Sequence, residues 1–202
     1  DVPYPHGFDA SNNVVIKVHA SSVNPVDKAL LSGDLKMLVP VASFPHVISY
    51  DVSGVVEESD ANGKFSVGQS VFARLFGDAD DGKKTPWFRG AMAEYCVAHS
   101  SNVVVKPDNI TFAEAASIPL VGMTALQVLK NSGLKEGGSI FISGGAGGVG
   151  TMAIQLAKHV FKAGLVVTTA SKGEKEKLCK KLGADVVVNY KSENFEDIYG
   201  ND

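Results

Sequence analysis

The run Ser143-Gly144-Gly145-Ala146-Gly147-Gly148-Val149-Gly150 holds the spacing G-x-G-x-x-G at Gly145, Gly147 and Gly150. Glycine is common in loops, so the spacing alone says little and its flanks decide its meaning. An apolar, β-favouring stretch, Ser139 to Ser143, leads in, and a segment with Met152, Ala153, Leu156, Ala157 and Val160 at helical spacing leads out. In a strand–loop–helix of this kind, missing side chains let the backbone approach a pyrophosphate. Its charge then meets free N–H groups and the positive end of the helix dipole. Gly147, Gly148, Val149 and Gly150 are the candidate cradle, and Gly150 also lets the helix sit close to the sheet. The competing reading is a glycine-rich turn that binds nothing.

The end of the following strand bears on which dinucleotide is held. A protein that takes NAD usually places a carboxylate there to accept from the ribose 2′-hydroxyl. This chain has Thr168-Thr169-Ala170-Ser171-Lys172, with Lys175 one turn further on. A hydroxyl and two ammonium groups suit a dianionic 2′-phosphate, so the reading is NADPH. Lys172 and Lys175 also fit the solvated face of a helix that carries Glu174, Glu176 and Lys177, and both readings stay open.

These residues need a scaffold. From Thr111 onward strands and helices alternate. Thr111-Phe112-Ala113-Glu114 is a capping box, a helix covers Thr124 to Lys130, and strands cover Ser139–Ser143, Leu165–Thr169 and Val186–Val188. Helices at Val149–Phe161 and Glu174–Leu182, the latter stopped by Gly183, lie between those strands. That order predicts βαβ units and a parallel sheet. The first half has another texture: Val14–Ala20, Val52–Val56, Ser70–Ala73, Tyr95–Ala98 and Val103–Val105 are short β-rich runs separated by turn residues. They predict a partly open antiparallel barrel. The fold class is therefore α/β with two domains, 1–112 and 113–202, and no internal repeat.

Composition narrows the function. The 202 residues are 45% hydrophobic and 20% charged, with a formal net charge of −3, which argues against a dedicated nucleic-acid or anionic-membrane binder. No apolar run is long enough to span a bilayer, and cytoplasm is the expected compartment. Cys96 and Cys179 read as reduced, free thiols. His6, His19, His46, His99 and His159 lack ligand spacing, so no metal is expected. No G-x-S-x-G elbow or Cys–His motif suggests nucleophilic catalysis. Trp87-Phe88, in a loop from Gly77 to Gly90, either borders a substrate mouth or plugs the barrel.

Further blocks occur in order: Ser22-Val23-Asn24-Pro25-Val26-Asp27, Phe44-Pro45-His46, Tyr50-Asp51-Val52-Ser53-Gly54, Phe65-Ser66-Val67-Gly68, Gly90-Ala91-Met92-Ala93-Glu94-Tyr95, Ala115 to Leu120 with Thr124-Ala125, and Leu182-Gly183-Ala184-Asp185. With the glycine loop they resemble the medium-chain dehydrogenase/reductase superfamily and, within it, the zinc-free quinone oxidoreductases. The stretch from Ile154 to Phe195 is similar to the alkenal and enone branch. The resemblance implies a GroES-like catalytic barrel, a Rossmann domain, and NADPH in the cleft between them. It implies Asn24 near the nicotinamide, Thr124 and Ala125 against the cofactor, and Ser171, Lys175 and Tyr190 around the 2′-phosphate. It implies an enzyme that delivers hydride to a quinone or small conjugated carbonyl, with a homodimer among the expected assemblies. A crystallin-like NADPH-binding scaffold without turnover is the rival. Two departures stand out: Ala29, with Lys28 beside it, where the family has Tyr or Lys, and Ser49 where it has Gly. The Rossmann pattern covers one mononucleotide half, so the chain is expected to be a fragment of a longer protein.

Overall fold

The computed structural model describes residues 2–5, 10–37, 44–75 and 90–194. Trp87 and Phe88 lie outside the described residues. The chain divides into two compact units, Asp1–Leu120 and Val121–Asp202. This division falls later than residue 112 because the short helix that follows Thr111 packs on strands of the first unit.

In the first unit the β-rich runs form one antiparallel sheet. Its strands are β1 (Asn13–Ser21), β2 (Asp51–Glu58), β3 (Ser70–Arg74), β4 (Tyr95–His99) and β5 (Val103–Val105), in the order β4-β1-β2-β3-β5. Register shifts in β1 between Val15 and Ile16 and between Val18 and Ala20 bend the sheet, as a partly open barrel requires. Val14, Ile16, Val52, Val56, Val71 and Phe65 fill its core. Gly54 is needed where β1 crosses β2: a Cβ there would lie 2.0 Å from Lys17 O.

Helix α1 (Pro25–Ser32) was not part of the sequence-based element pattern. Its signals are local all the same. Asn24 is extended at the N-cap, Pro25 opens the first turn, and Gly33 ends the helix at φ 79°. Helix α2 (Phe112–Ala116) begins at the expected capping box, in which Thr111 Oγ1 accepts from Glu114 N at 3.2 Å and Glu114 Oε2 accepts from Thr111 N at 2.8 Å. Helix α3 (Pro119–Asn131) is longer than the 124–130 pattern predicts, because Pro119 starts it.

The second unit has the predicted alternation of β6 (Ser139–Ile142), α4 (Gly148–Gln155), β7 (Leu165–Thr169), α5 (Glu174–Leu182) and β8 (Val186–Val188), with the parallel order β6-β7-β8. The expected single helix 149–161 is instead α4 followed by a π-helical turn, Leu156–Val160, in which Phe161 N donates to Leu156 O at 2.9 Å. Ile154, Ala157, Val166, Leu129 and Cys179 form the core. Lys158, on the π turn, bonds Asp185 at 2.8 Å, and Asp185 Oδ2 accepts from Val166 N at 2.7 Å, which ties α4, β7 and the entry to β8 together.

Candidate functional site

The glycine loop joins β6 to α4 and is pinned to the end of β7. Gly144 N donates to Thr169 Oγ1 at 2.9 Å and Gly145 N to Thr169 O at 3.0 Å. Gly147 N closes the turn on Gly144 O at 2.9 Å, and Thr151 N makes the first helical bond, to Gly147 O at 2.9 Å. The amides of Gly148, Val149 and Gly150 precede that bond and stand at the positive end of the α4 dipole. Gly147, Gly148 and Val149 are exposed, whereas Gly145 and Gly150 are buried. The burial has a cause. A Cβ on Gly145 would lie 2.2 Å from Thr168 Oγ1, and one on Gly150 would lie 2.3 Å from Gly144 O. On Gly147 it would meet only Gly144 O, at 3.3 Å. Gly145 and Gly150 are thus glycines for packing, and Gly147 leaves open backbone for a ligand.

Thr168 is fully buried and donates to Ile142 O at 2.5 Å, so it belongs to the sheet. Ala170 N is taken by Val188 O at 3.0 Å. Ser171 is half-buried, and Lys172, Lys175 and Tyr190 are exposed. Along α5, Lys177 pairs with Glu174 at 2.9 Å and Lys180 with Glu176 at 2.7 Å. Lys172 lies near enough to Glu176 to help Lys180 hold that carboxyl below its usual range. Among the described residues Lys175 takes part in no ion pair. The loop amides and these cations could hold a dinucleotide with an extra phosphate, and the exposed glycine cradle fits its pyrophosphate. Thr124 is half-buried, while Ala125 is wholly buried in the core with Leu129. A groove of about 340 Å³ runs along β6, bordered by Ala125, Phe141, Gly147, Val149 and Gly150.

Asn24 sits in the first unit within a buried polar cluster. Its backbone N donates to Asp27 Oδ2 at 2.7 Å, and its Nδ2 donates to Asp51 Oδ2 at 2.8 Å and to Ser22 Oγ at 3.2 Å. Asp51, fully buried, also accepts from Ser22 Oγ at 2.7 Å and from Leu120 N at 2.8 Å. Burial raises the Asp51 pKa, and the donors from Ser22, Asn24 and Leu120 oppose that rise. Asp27 Oδ1 accepts from Ser49 N at 3.0 Å. Ser49 adopts φ 72°, the left-handed backbone that favours glycine, and its hydroxyl compensates by donating to Ser22 O at 2.7 Å. Ala29 is half-buried on α1 and Lys28 is exposed. Sequence reasoning missed Asp27 and Asp51 as members of this cluster. The available signal was a carboxylate, Asp51, directly before a valine-rich run.

Among the described residues, no three His, Cys, Asp or Glu side chains converge as a metal site. His19 stacks on Phe112 with ring centroids 4.3 Å apart, and His99 Nδ1 lies 2.7 Å from Ser101 Oγ. Both cysteines are free and buried, and burial pushes the Cys96 thiol up to about 12.

Residues 10–108 match the alcohol dehydrogenase GroES-like domain, and residues 148–200 match the zinc-binding dehydrogenase family. The 2-methylene-furan-3-one reductase of Solanum lycopersicum is 43% identical over 93% of this chain and 47% of its own length. The chloroplastic NADPH-dependent alkenal/one oxidoreductase of Arabidopsis thaliana is 40% identical, again over 93% of this chain and 47% of its own. Among solved structures, the quinone oxidoreductase of Coxiella burnetii superposes with a TM-score of 0.72 at 34% identity, covering 93% of this chain and 56% of the other. The chain spans about half the length of the relatives it matches. Both units match in the same order, and the chain belongs to the medium-chain dehydrogenase/reductase family, on its quinone and alkenal/enone oxidoreductase side.

Proposed function

We propose that this chain supplies the NADPH-binding unit and the front catalytic unit of a reductase that passes hydride to quinones or α,β-unsaturated carbonyls without a metal. One observation carries the reading. The open amides at the head of α4 lie on the same unit as a β7 end that has Ser171, Lys172 and Lys175 where an NAD binder has a carboxylate. The NADPH-dependent relative among the alkenal/one oxidoreductases supports the same cofactor.

When bound, the nicotinamide supplies the hydride. The chain's own part is binding and alignment. Gly147, Gly148, Val149 and Gly150 take the pyrophosphate, Ser171, Lys172, Lys175 and Tyr190 surround the 2′-phosphate, and Thr124 with Ala125 flanks the cofactor. Asn24 stands beside the nicotinamide and fixes its orientation. A conjugated acceptor spreads the incoming charge onto its own oxygen, so no protein metal is needed. The resemblance implies that zinc-dependent relatives need a Cys near the Asn24 position and a His beside the Asp51 position, and this chain has neither there.

The test is NADPH consumption with 1,4-benzoquinone, 9,10-phenanthrenequinone and a small enone, set against simple alcohols with NADP⁺. Conjugated acceptors turn over and alcohols do not, for want of a metal to stabilise an alkoxide. Turnover of alcohols alone refutes the assignment, and tight NADPH binding without consumption makes the protein a scaffold. No described helix is long and apolar enough to cross a membrane.

A further inference from the structure

Asn24 is an amide with two ends, and the end it shows to a ligand decides what it recognises. Its nitrogen is fixed from below. Asp51 Oδ2 lies 2.8 Å from Asn24 Nδ2 and receives Ser22 Oγ at 2.7 Å, while Asp51 Oδ1 receives Leu120 N at 2.8 Å. Ser22 Oγ and Leu120 N each donate to this buried carboxyl group, which leaves it the role of acceptor toward Asn24 as well. An acceptor-only neighbour can face the amide nitrogen and not its oxygen. Ser22 Oγ reinforces this sense: its own proton is committed to Asp51, so it can only accept from Asn24 Nδ2, at 3.2 Å. The backbone of Asn24 is held as well, through its N–H to Asp27 Oδ2 at 2.7 Å. Main chain and amide are both clamped, the first by Asp27 of α1 and the second by Asp51 of β2 and Ser22.

We infer that Asp51 is a positioning residue that, with Ser22, locks the Asn24 amide nitrogen inward and so turns its oxygen toward the head of α1, where the side chain caps the Asp27 amide. The second lone pair of that oxygen then accepts from a donor group on the ligand, such as the N–H₂ of a carboxamide. The ligand half of this inference rests on the reading of Asn24 beside the nicotinamide; the locking half does not.

Two readouts separate these halves. The first is the side-chain amide signal of Asn24 in protein labelled with ¹⁵N-asparagine and free of ligand, identified by its disappearance in Asn24→Ala. In wild type its two protons exchange slowly. In Asp51→Asn the buried acceptor is halved, and exchange accelerates by about tenfold or more. Should Asp51→Asn not fold, Ser22→Ala keeps the Leu120 bond and serves in its place, with an acceleration of about threefold. An unchanged amide signal in a folded variant overturns the positioning role.

The second readout is NADPH affinity in a double-mutant cycle. Asn24→Ala and Asp51→Asn each weaken binding by about tenfold, and the double variant is no weaker than Asn24→Ala, because Asp51 acts through Asn24. Additive losses, about a hundredfold together, overturn the claim that Asp51 works through this amide and make it a general support of the fold. If Asn24→Ala binds NADPH as wild type does, the placement of Asn24 against the cofactor fails, and the amide spectrum decides the positioning claim alone.

Discussion

Gly147 and Gly150 belong to one loop but lack side chains for different reasons, and alanine at each separates those reasons. A Cβ on Gly150 would lie 2.3 Å from Gly144 O and 2.8 Å from Gly145 Cα. Both obstacles are backbone, so the first turn of α4 must back away from the loop by the better part of an ångström. Overpacking of this kind costs about 1–3 kcal/mol, here at the upper end because no flexible side chain can yield. Alanine returns about 1 kcal/mol of helix propensity. The net loss is about 2 kcal/mol, which lowers Tm by about 4–8 °C for a chain of this size. Gly147 differs. Its φ of −81° and ψ of 168° are open to any residue, and its Cβ would touch only Gly144 O, at 3.3 Å. The poorer N-cap and the smaller unfolded-state entropy of alanine roughly cancel, leaving Tm within about 2 °C of wild type. Its methyl group would still stand where the pyrophosphate must approach, so NADPH should bind at least about tenfold more weakly, a loss of about 1.4 kcal/mol. Thermal unfolding without ligand and fluorescence titration with NADPH measure the two effects. If Gly147→Ala melts as low as Gly150→Ala, the packing argument is wrong. If it binds NADPH as wild type does, the cradle is misplaced.

Lys175→Ala should lose about 1.5–3 kcal/mol of NADPH binding if the exposed ammonium meets the 2′-phosphate, and almost none of NADH binding; equal affinity of wild type for the two cofactors refutes the selectivity. Elemental analysis after dialysis should find no stoichiometric zinc, and about one zinc per chain would overturn the metal-free reading. Lys158 and then the Val166 amide hold the Asp185 carboxyl below the usual carboxylate value of 3.8. A depressed pKa gives stability that is present above the unfolded value and lost as pH falls through the folded one. Wild type should therefore exceed Asp185→Asn by about 1 kcal/mol at neutral pH, the pair being partly exposed, and the gap should close as acid protonates Asp185. Chemical denaturation across that range checks it, and a gap unchanged at about pH 2 would count against the linkage.

The second unit was legible because its signals are local. Leu165–Thr169, Glu174–Leu182 and Val186–Val188 end where Gly, charge patterning and β-branched runs say they should. The π turn at Leu156–Val160 was not legible, since one misplaced hydrogen bond leaves no mark on helical periodicity. Helix α1 could have been found. Asn24, Pro25, Asp27 and Gly33 occupy the N-cap, N1, N3 and C-terminal glycine positions, but a helix of 8 residues is too short for its apolar spacing to mark it.

The glycine cradle and the Asn24 cluster show why one site is readable and the other is not. Most of the cradle's ligand-facing groups are backbone amides of consecutive residues, so their geometry follows from a strand, a glycine loop and a helix in succession. The Asn24 cluster is made of side chains brought together over long separations: Asn24 meets Asp51 across 27 residues, and Leu120 reaches Asp51 across 69. No local pattern records such a meeting. What the sequence does record is its by-product. Ser49 stands where the family has glycine, in a left-handed turn at φ 72° that a serine adopts only at a cost. The turn is fixed by Asp27, which accepts from Ser49 N, and the added hydroxyl bonds the carbonyl of Ser22, the same residue whose hydroxyl supports Asp51 and Asn24. An odd residue type at a strained turn can thus mark a buried polar site before its carboxylates are recognised. Here it lies two residues before Asp51, the group on which the orientation of Asn24 depends.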